Sequence, residues 1–486
     1  MQGRSPLKER ELAQPLIENS FAPAVRADWL ALVEKTLKGA GADSLDVRGP
    51  DGLTIRPLYE REEALRSFAP APRATERPWD IRTRVRHLSL SAARDAAMED
   101  LAGGGASVIL AIRHGEIEGV GAASADDLAE VLDGILFDVS PVALDAGFLG
   151  PAAADWLSAA VKGSPSAPIA LHLDPLSAFA RAGSSEGPIE SHIVAAATTA
   201  TRLAAIHPRA SLFLASGSVV HEAGGGPAEE LAFVLAAGFA YLKAAVRAGL
   251  EIEAAAQHIV IGLAVDADPL ISIAKLRAAR MVWTRFAAAC GVRSGMTIEA
   301  RSSGRMLART EPWTNLVRLT AACLAAAVGG ADAVVLSSFT DALGVPTPFA
   351  RRLARNTQLI LMEEARLGAV ADPVGGSGAF EALSRDIAKG AWRRFNDIEA
   401  AGGMVAALRE GLIARETQAG AAAVREALAS GAAKIVGVTD FRSEDVPPAP
   451  VEPLTTELAP PPSPRLPGPD SHCPLLAPVL LEDMAA

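Results

Sequence analysis

The sequence is poor in the residues that most often announce chemistry. Three cysteines, Cys290, Cys323 and Cys473, are spread through 486 residues. They have no CxxC spacing, which argues against a disulfide framework or a zinc site and fits a reducing cytoplasm. Basic side chains are outnumbered, 46 against 57 acidic, giving a net charge of −11. A surface for nucleic acid or an anionic membrane needs basic stripes, so neither partner is expected. No apolar run reaches the roughly 18 residues that a membrane-spanning helix requires. The opening stretch, MQGRSPLKERELAQP, lacks the apolar core of a signal peptide. There is no GxGxxG, no P-loop, no GxSxG elbow and no HExxH.

What is present is a long alternation of short apolar runs and helical segments. Half the residues are apolar, ample for a large core. Eight runs read as strands: Ile81–His87, Val108–Ile112, Ile135–Val139, Ile169–Leu173, Ser211–Ala215, His258–Leu263, Thr297–Arg301 and Ala333–Ser337. Between them lie helical segments at 91–102, 191–206, 227–248, 269–291 and 314–330. Pro227 and Pro269 open two of them, where the missing N–H costs nothing. Gly291 and Gly329 end two others. Eight β/α units in succession predict an α/β fold, a (β/α)8 TIM barrel.

Around that barrel we expect four segments. Residues 1–75 form an N-terminal arm, in which Trp29, Val33 and Leu37 share one face of a helix at 26–38. Residues 76–345 form the barrel, and 346–440 a barrel-closing helix and helical extension. Residues 441–486 form a tail: 12 of the 33 prolines fall between Pro447 and Pro478, and this composition predicts a disordered or extended chain. Its final apolar stretch, CPLLAPVLLEDM, reads either as an untethered end or as a docking peptide.

Chemistry in such barrels sits at the C-terminal strand ends. Asp138, His172, Asp174, Asp266 and Asp268 fall there. A carboxylate–histidine pair could carry acid–base work or bind a metal. The competing reading makes the aspartates loop and helix caps, since Asp174 and Asp268 each precede a proline. No further histidine or glutamate is spaced to complete a ligand set. The strands read VILAI, ILFDV, IALHL, SLFLA and HIVIGL, so a barrel axis filled with Leu, Ile, Val and Phe is expected.

The stretch from Ser302 to Gly376, with the residue after it, carries ordered motifs: SSG, EPWTNLVR, AVGGAD, DALGVPT, ARNTQLIL and ADPVGGS. With ERPWDIR at 76–82 and SGSVVHEAG at 216–224, it closely resembles the methylmalonyl-CoA mutase family over roughly residues 25–440. The resemblance implies shared structural roles for Trp79, Arg82, Asn315, Arg318, Arg355, Asn356, Asp372, Gly375 and Gly376. It also implies losses. Catalytic members place a tyrosine where this chain has Arg84, and a tyrosine–histidine pair where it has Ser218 and Val219. Their RTHSQTSG strand aligns with 297–304, so the coenzyme A contacts become Thr297, Glu299 and Arg301. The cobalamin motif DxHxxG is absent. The resemblance therefore implies a non-catalytic small subunit with no catalytic, cofactor or metal residues of its own. Adenosylcobalamin would be held by a large catalytic partner in a cytoplasmic heterodimer. An independent acyl-CoA-binding barrel or enzyme using Asp138, His172, Asp174 or Arg301, and a regulatory partner of the mutase, are the rival readings.

Overall fold

A computed structural model of the chain describes residues 25–60, 73–74, 76–114, 118–293, 295–453 and 463–485. Two compact units result. The small one holds the described part of residues 1–49, with 54–59. Its helix Arg26–Thr36 buries no residue, and two short strands, Val47–Arg48 and Thr54–Ile55, pair antiparallel. Trp29, Val33 and Leu37 are the half-covered positions of that region, as the helical spacing predicts.

The large unit is built on a closed barrel of eight parallel strands. We number them β1 (Asp80–Val85), β2 (Ser107–Ala111), β3 (Val142–Asp145), β4 (Ala170–Leu173), β5 (Ser211–Ser216), β6 (Ile259–Val265), β7 (Thr297–Ser302) and β8 (Ala333–Val335). They are adjacent in sequence order, and β8 closes on β1. Seven follow the apolar runs read from the sequence. The third does not. Ile135–Val139 is a turn, with Leu136 72% and Val139 64% exposed. The strand begins after Pro141, at VALD, because that run is short, wholly apolar until its end and buried. Asp138 is consequently an exposed turn residue that precedes the N-terminal end of β3 and stands at no C-terminal strand end.

Helices Pro227–Arg247 and Pro269–Ala289 pack on the barrel and carry Gly378–Ala400 of the helical extension against them. Asp174 and Asp268 cap the helices that follow them, accepting from Ser177 N at 3.2 Å and Ile271 N at 3.1 Å.

Of the two expectations for the proline-rich segment, disordered or extended, its described residues take the extended form and are partly paired with the body of the chain. Val451–Glu452 pairs with Val345–Pro346, and Ser471–His472 pairs with Ser184–Ser185. A final turn, Leu481–Met484, packs into a cluster with Leu428, Ile435 and Val438. The apolar stretch read as a possible docking peptide thus docks on its own chain. Each proline presets an extended backbone, which lowers the entropy lost on docking. Among the described residues no helix is long and apolar enough to cross a membrane.

Candidate functional site

The barrel interior corrects the expectation of an aliphatic core. One layer is apolar and small: Ile109, Ala143, Ala170 and Val335. The layers beside it are charged. On β1, Arg82 donates to Asp80 at 2.8 Å and reaches Glu299 of β7 at 2.6 Å. Arg301, two residues further along β7, donates to Glu299 at 2.7 Å and to Asp145 of β3 at 2.9 Å. Four steps around the barrel separate β7 from β3. The Arg301–Asp145 pair therefore spans the barrel's diameter and crosses its axis. Arg84 approaches the same Asp145 oxygen at 3.9 Å. Period-two alternation points alternate residues of each strand inward, so Arg82 and Arg84, and Glu299 and Arg301, are successive inward positions.

The electrostatics follow from this packing. Burial disfavours ionised Glu299, but Arg301 and Arg82 outweigh it and hold the carboxyl at about 2. Burial likewise opposes ionised Asp145, and Arg301 and Arg84 pull it well below the usual carboxylate range. His172 sits in an irregularity of β4, where three residues span the distance of two on β5. Its φ of 47° lies in the left-handed region, a strained place for a non-glycine residue. Burial lowers its pKa to about 4, so the ring is neutral. Nδ1 donates to Leu144 O at 3.1 Å, leaving Nε2 buried without a hydrogen bond, 3.8 Å from Glu299.

Above this ladder, at the C-terminal ends of the strands, lies a cavity of about 620 Å³. Arg301, Asp145 and His172 line it, with Phe148, Arg181 and Leu475. Gly147 is required at its rim: φ is 48° and an added Cβ would lie 2.2 Å from His114 Nε2. The pKa of Asp174, also in the cavity lining, is pushed up to about 6 by burial. Both its oxygens are engaged: Tyr241 Oη donates at 2.5 Å, and Ser177 N and Ser216 N at 3.2 Å each. It is a helix cap and strand anchor, held by three donors. Sequence reasoning missed Asp145 and Tyr241. The first polar residue after an apolar strand was the available signal for Asp145, had the strand been placed correctly.

The other expected residues are dispersed. Thr297 is exposed at the N-terminal end of β7, away from the mouth. Ser218 and Val219 lie on the short helix Ser218–Glu222, where Val219 is buried and Ser218 Oγ has no hydrogen bond. His221 Nε2 is 2.8 Å from Ser303 Oγ, and Glu222 accepts from Gly304 N and Arg305 N, tying this helix to the loop after β7. Asp266 accepts from Ser272 Oγ in the loop after β6. Trp79 donates to Gln358. Asn315 binds Ala308 at both backbone atoms and Phe339 O, and Arg318 joins it to Val436 O. Arg355 donates to Asp100 and Gly103 O, and Asp372 accepts from Arg277. Gly376 has φ 80°, an added Cβ on Gly375 would crowd Asp372, and Asn356 is exposed.

These residues do not fit adenosylcobalamin. The two imidazoles of the cavity, His114 and His172, donate Nδ1 to carbonyl oxygens, which leaves Nε2 as the possible ligand atom, but that of His172 is buried toward Glu299 and that of His114 lies against Gly147. The strand ends are crossed by residues 471–484, which bond to the loops after β4, β5 and β7. Among the described residues no His/Cys/Asp/Glu group could hold a metal ion.

Comparison with known proteins agrees with the motifs. The sequence profile described as Methylmalonyl-CoA mutase matches residues 111–459. The methylmalonyl-CoA mutase small subunit of Streptomyces virginiae is 36% identical over 87% of this chain and 71% of its own. The small subunit of Propionibacterium freudenreichii subsp. shermanii is 30% identical, over 94% and 76% respectively. The Rhizobium meliloti protein named methylmalonyl-CoA mutase is 30% identical over 86% of this chain, which spans 64% of that protein's length. The axial charge ladder therefore lies in a barrel of known kind: this chain belongs to the methylmalonyl-CoA mutase family.

Proposed function

We propose that the chain is the small, non-catalytic subunit of a methylmalonyl-CoA mutase, paired with a large catalytic subunit. The holoenzyme would interconvert methylmalonyl-CoA and succinyl-CoA. The large subunit would hold the substrate and the adenosylcobalamin, which supplies the radical chemistry. The names of the Streptomyces and Propionibacterium relatives support the small-subunit assignment.

One observation carries the non-catalytic reading. The Arg301–Asp145 pair crosses the barrel axis at 2.9 Å, with Arg82–Glu299 beside it at 2.6 Å. A linear thioester arm would have to break both pairs to thread the axis. Breaking the buried Arg82–Glu299 pair alone strands a charge and costs about 3–5 kcal/mol. The positions Arg84, Ser218, Val219, Thr297 and Glu299 then read as degenerate remnants of a substrate site. This chain would contribute interface, through its N-terminal unit, residues 346–440 and outer helix faces.

The test is co-expression with a large subunit, purification through a tag on one chain, and mutase assay with adenosylcobalamin against each chain alone. A stable complex, active only with the large subunit present, is expected. Thioester turnover by this chain alone would overturn the reading.

A further inference from the structure

We infer that residues 471–484 are a releasable strap that roofs the mouth cavity and admits only compact molecules while closed. The strap is held firmly at its two ends. At the first, Ser471–His472 pairs with Ser184–Ser185, and Ser471 Oγ accepts from Ile189 N at 3.1 Å and Arg409 Nη2 at 2.8 Å. At the second, Glu482 accepts from Arg309 N at 2.7 Å and Thr310 N at 3.0 Å. Met484 is buried there among Leu428, Ile435 and Val438.

Between these anchors the hold is light. Cys473 N donates to Gly183 O, Leu476 N to Ala180 O, Val479 N to Glu222 O and Leu481 N to Arg305 O, with one thiol bond from Cys473 Sγ to Phe179 O. Pro474 and Pro478 have no N–H to add. Leu476 is the one deeply buried side chain of this span, and Leu475 is 52% exposed. A segment with few buried side chains opens locally without global unfolding.

The placement gives the strap its effect. Leu475, Ala477 and Pro478 line the cavity from above, while Arg301 and Asp145 line it from the strand side. The span crosses from the loop after β4 to the loops after β5 and β7. A molecule with a long tail must displace it to enter. This inference stands on the packing of the segment and is independent of the mutase assignment.

The experiment uses the full chain with its native cysteines replaced and Ala178→Cys placed in the cavity lining. Labelling by a polyethylene-glycol maleimide is compared with labelling by small N-ethylmaleimide. In the closed chain the bulky reagent lags the small one. Adding Glu482→Ala and Met484→Asp releases the far anchor, and the bulky reagent should then gain about tenfold or more in rate, as expected for an opening about 1.4 kcal/mol easier. Equal bulky-reagent rates with and without the release substitutions would overturn the strap. Hydrogen exchange on the unsubstituted chain gives a second reading should the variant fail to fold. The amides of Cys473, Leu476 and Val479 should exchange together, slower than free chain and faster than Leu110 and Ile261 of the barrel. Exchange at free-chain rates, or only with the barrel, would contradict it.

Discussion

Arg301 and Asp145 meet at 2.9 Å across the full width of the barrel. Their strands stand opposite one another, so this contact exists only once the barrel has closed. Arg301 also serves Glu299, which is wholly buried. Arg301→Ala would leave the buried Glu299 and the partly exposed Asp145 short of a counter-charge. The expected loss is about 3–5 kcal/mol in urea unfolding. A loss below about 1 kcal/mol, the range of exposed pairs, would mean that the ladder is solvated.

Acid should weaken the fold through the same ladder. The unfolded chain protonates His172 near its ordinary 6.5, whereas the folded chain resists until about 4. Unfolding thus takes up a proton in that window, so stability falls as pH drops through it. Glu299 adds a loss in the same direction from its ordinary range down to about 2. His172→Gln should flatten the slope of unfolding free energy between pH 6.5 and 4. An unchanged slope in urea titrations would rule His172 out as its source.

Asn315 is buried and makes three hydrogen bonds to backbone atoms, two to Ala308 and one to Phe339. It joins the loop after β7 to the turn after β8. Asn315→Ala leaves those groups unpaired, at about 1–3 kcal/mol for each buried partner that water cannot reach. Thermal unfolding should show a drop of several degrees, and an unaltered midpoint would contradict this role.

Restoring one lost side chain should not restore chemistry. Val219 is 3% exposed beside the loop after β5. Val219→His buries a polar ring there, expected to cost about 1–3 kcal/mol, with no mutase turnover by the isolated chain. Measurable turnover would contradict the degenerate reading of Ser218 and Val219.

Much of this architecture was legible in the residues, and the failures have physical causes. The strands at 108–112, 211–215 and 258–263 are continuous apolar runs because parallel strands are covered on both faces. Asp174 and Asp268 could be read as caps because each precedes a proline that begins a helix. The run at 135–139 misled because apolar content alone does not distinguish a strand from a turn beside one; Pro141 marked the boundary. The axial ladder was hidden because it depends on barrel closure. Glu299 and Asp145 are far apart in sequence, and inward parity cannot be read without register. The tail's docking was hidden because composition reports a segment's own tendency to fold, while here the barrel supplies the surface.

The central proposal is that this barrel serves a large catalytic partner and does no chemistry of its own. Co-purification with a large mutase subunit, followed by assay of the complex and of each chain with adenosylcobalamin, tests it most directly. The account predicts a stable complex, with activity whenever the large subunit is present and none from this chain alone. No complex, or thioester rearrangement by this chain by itself, would contradict it.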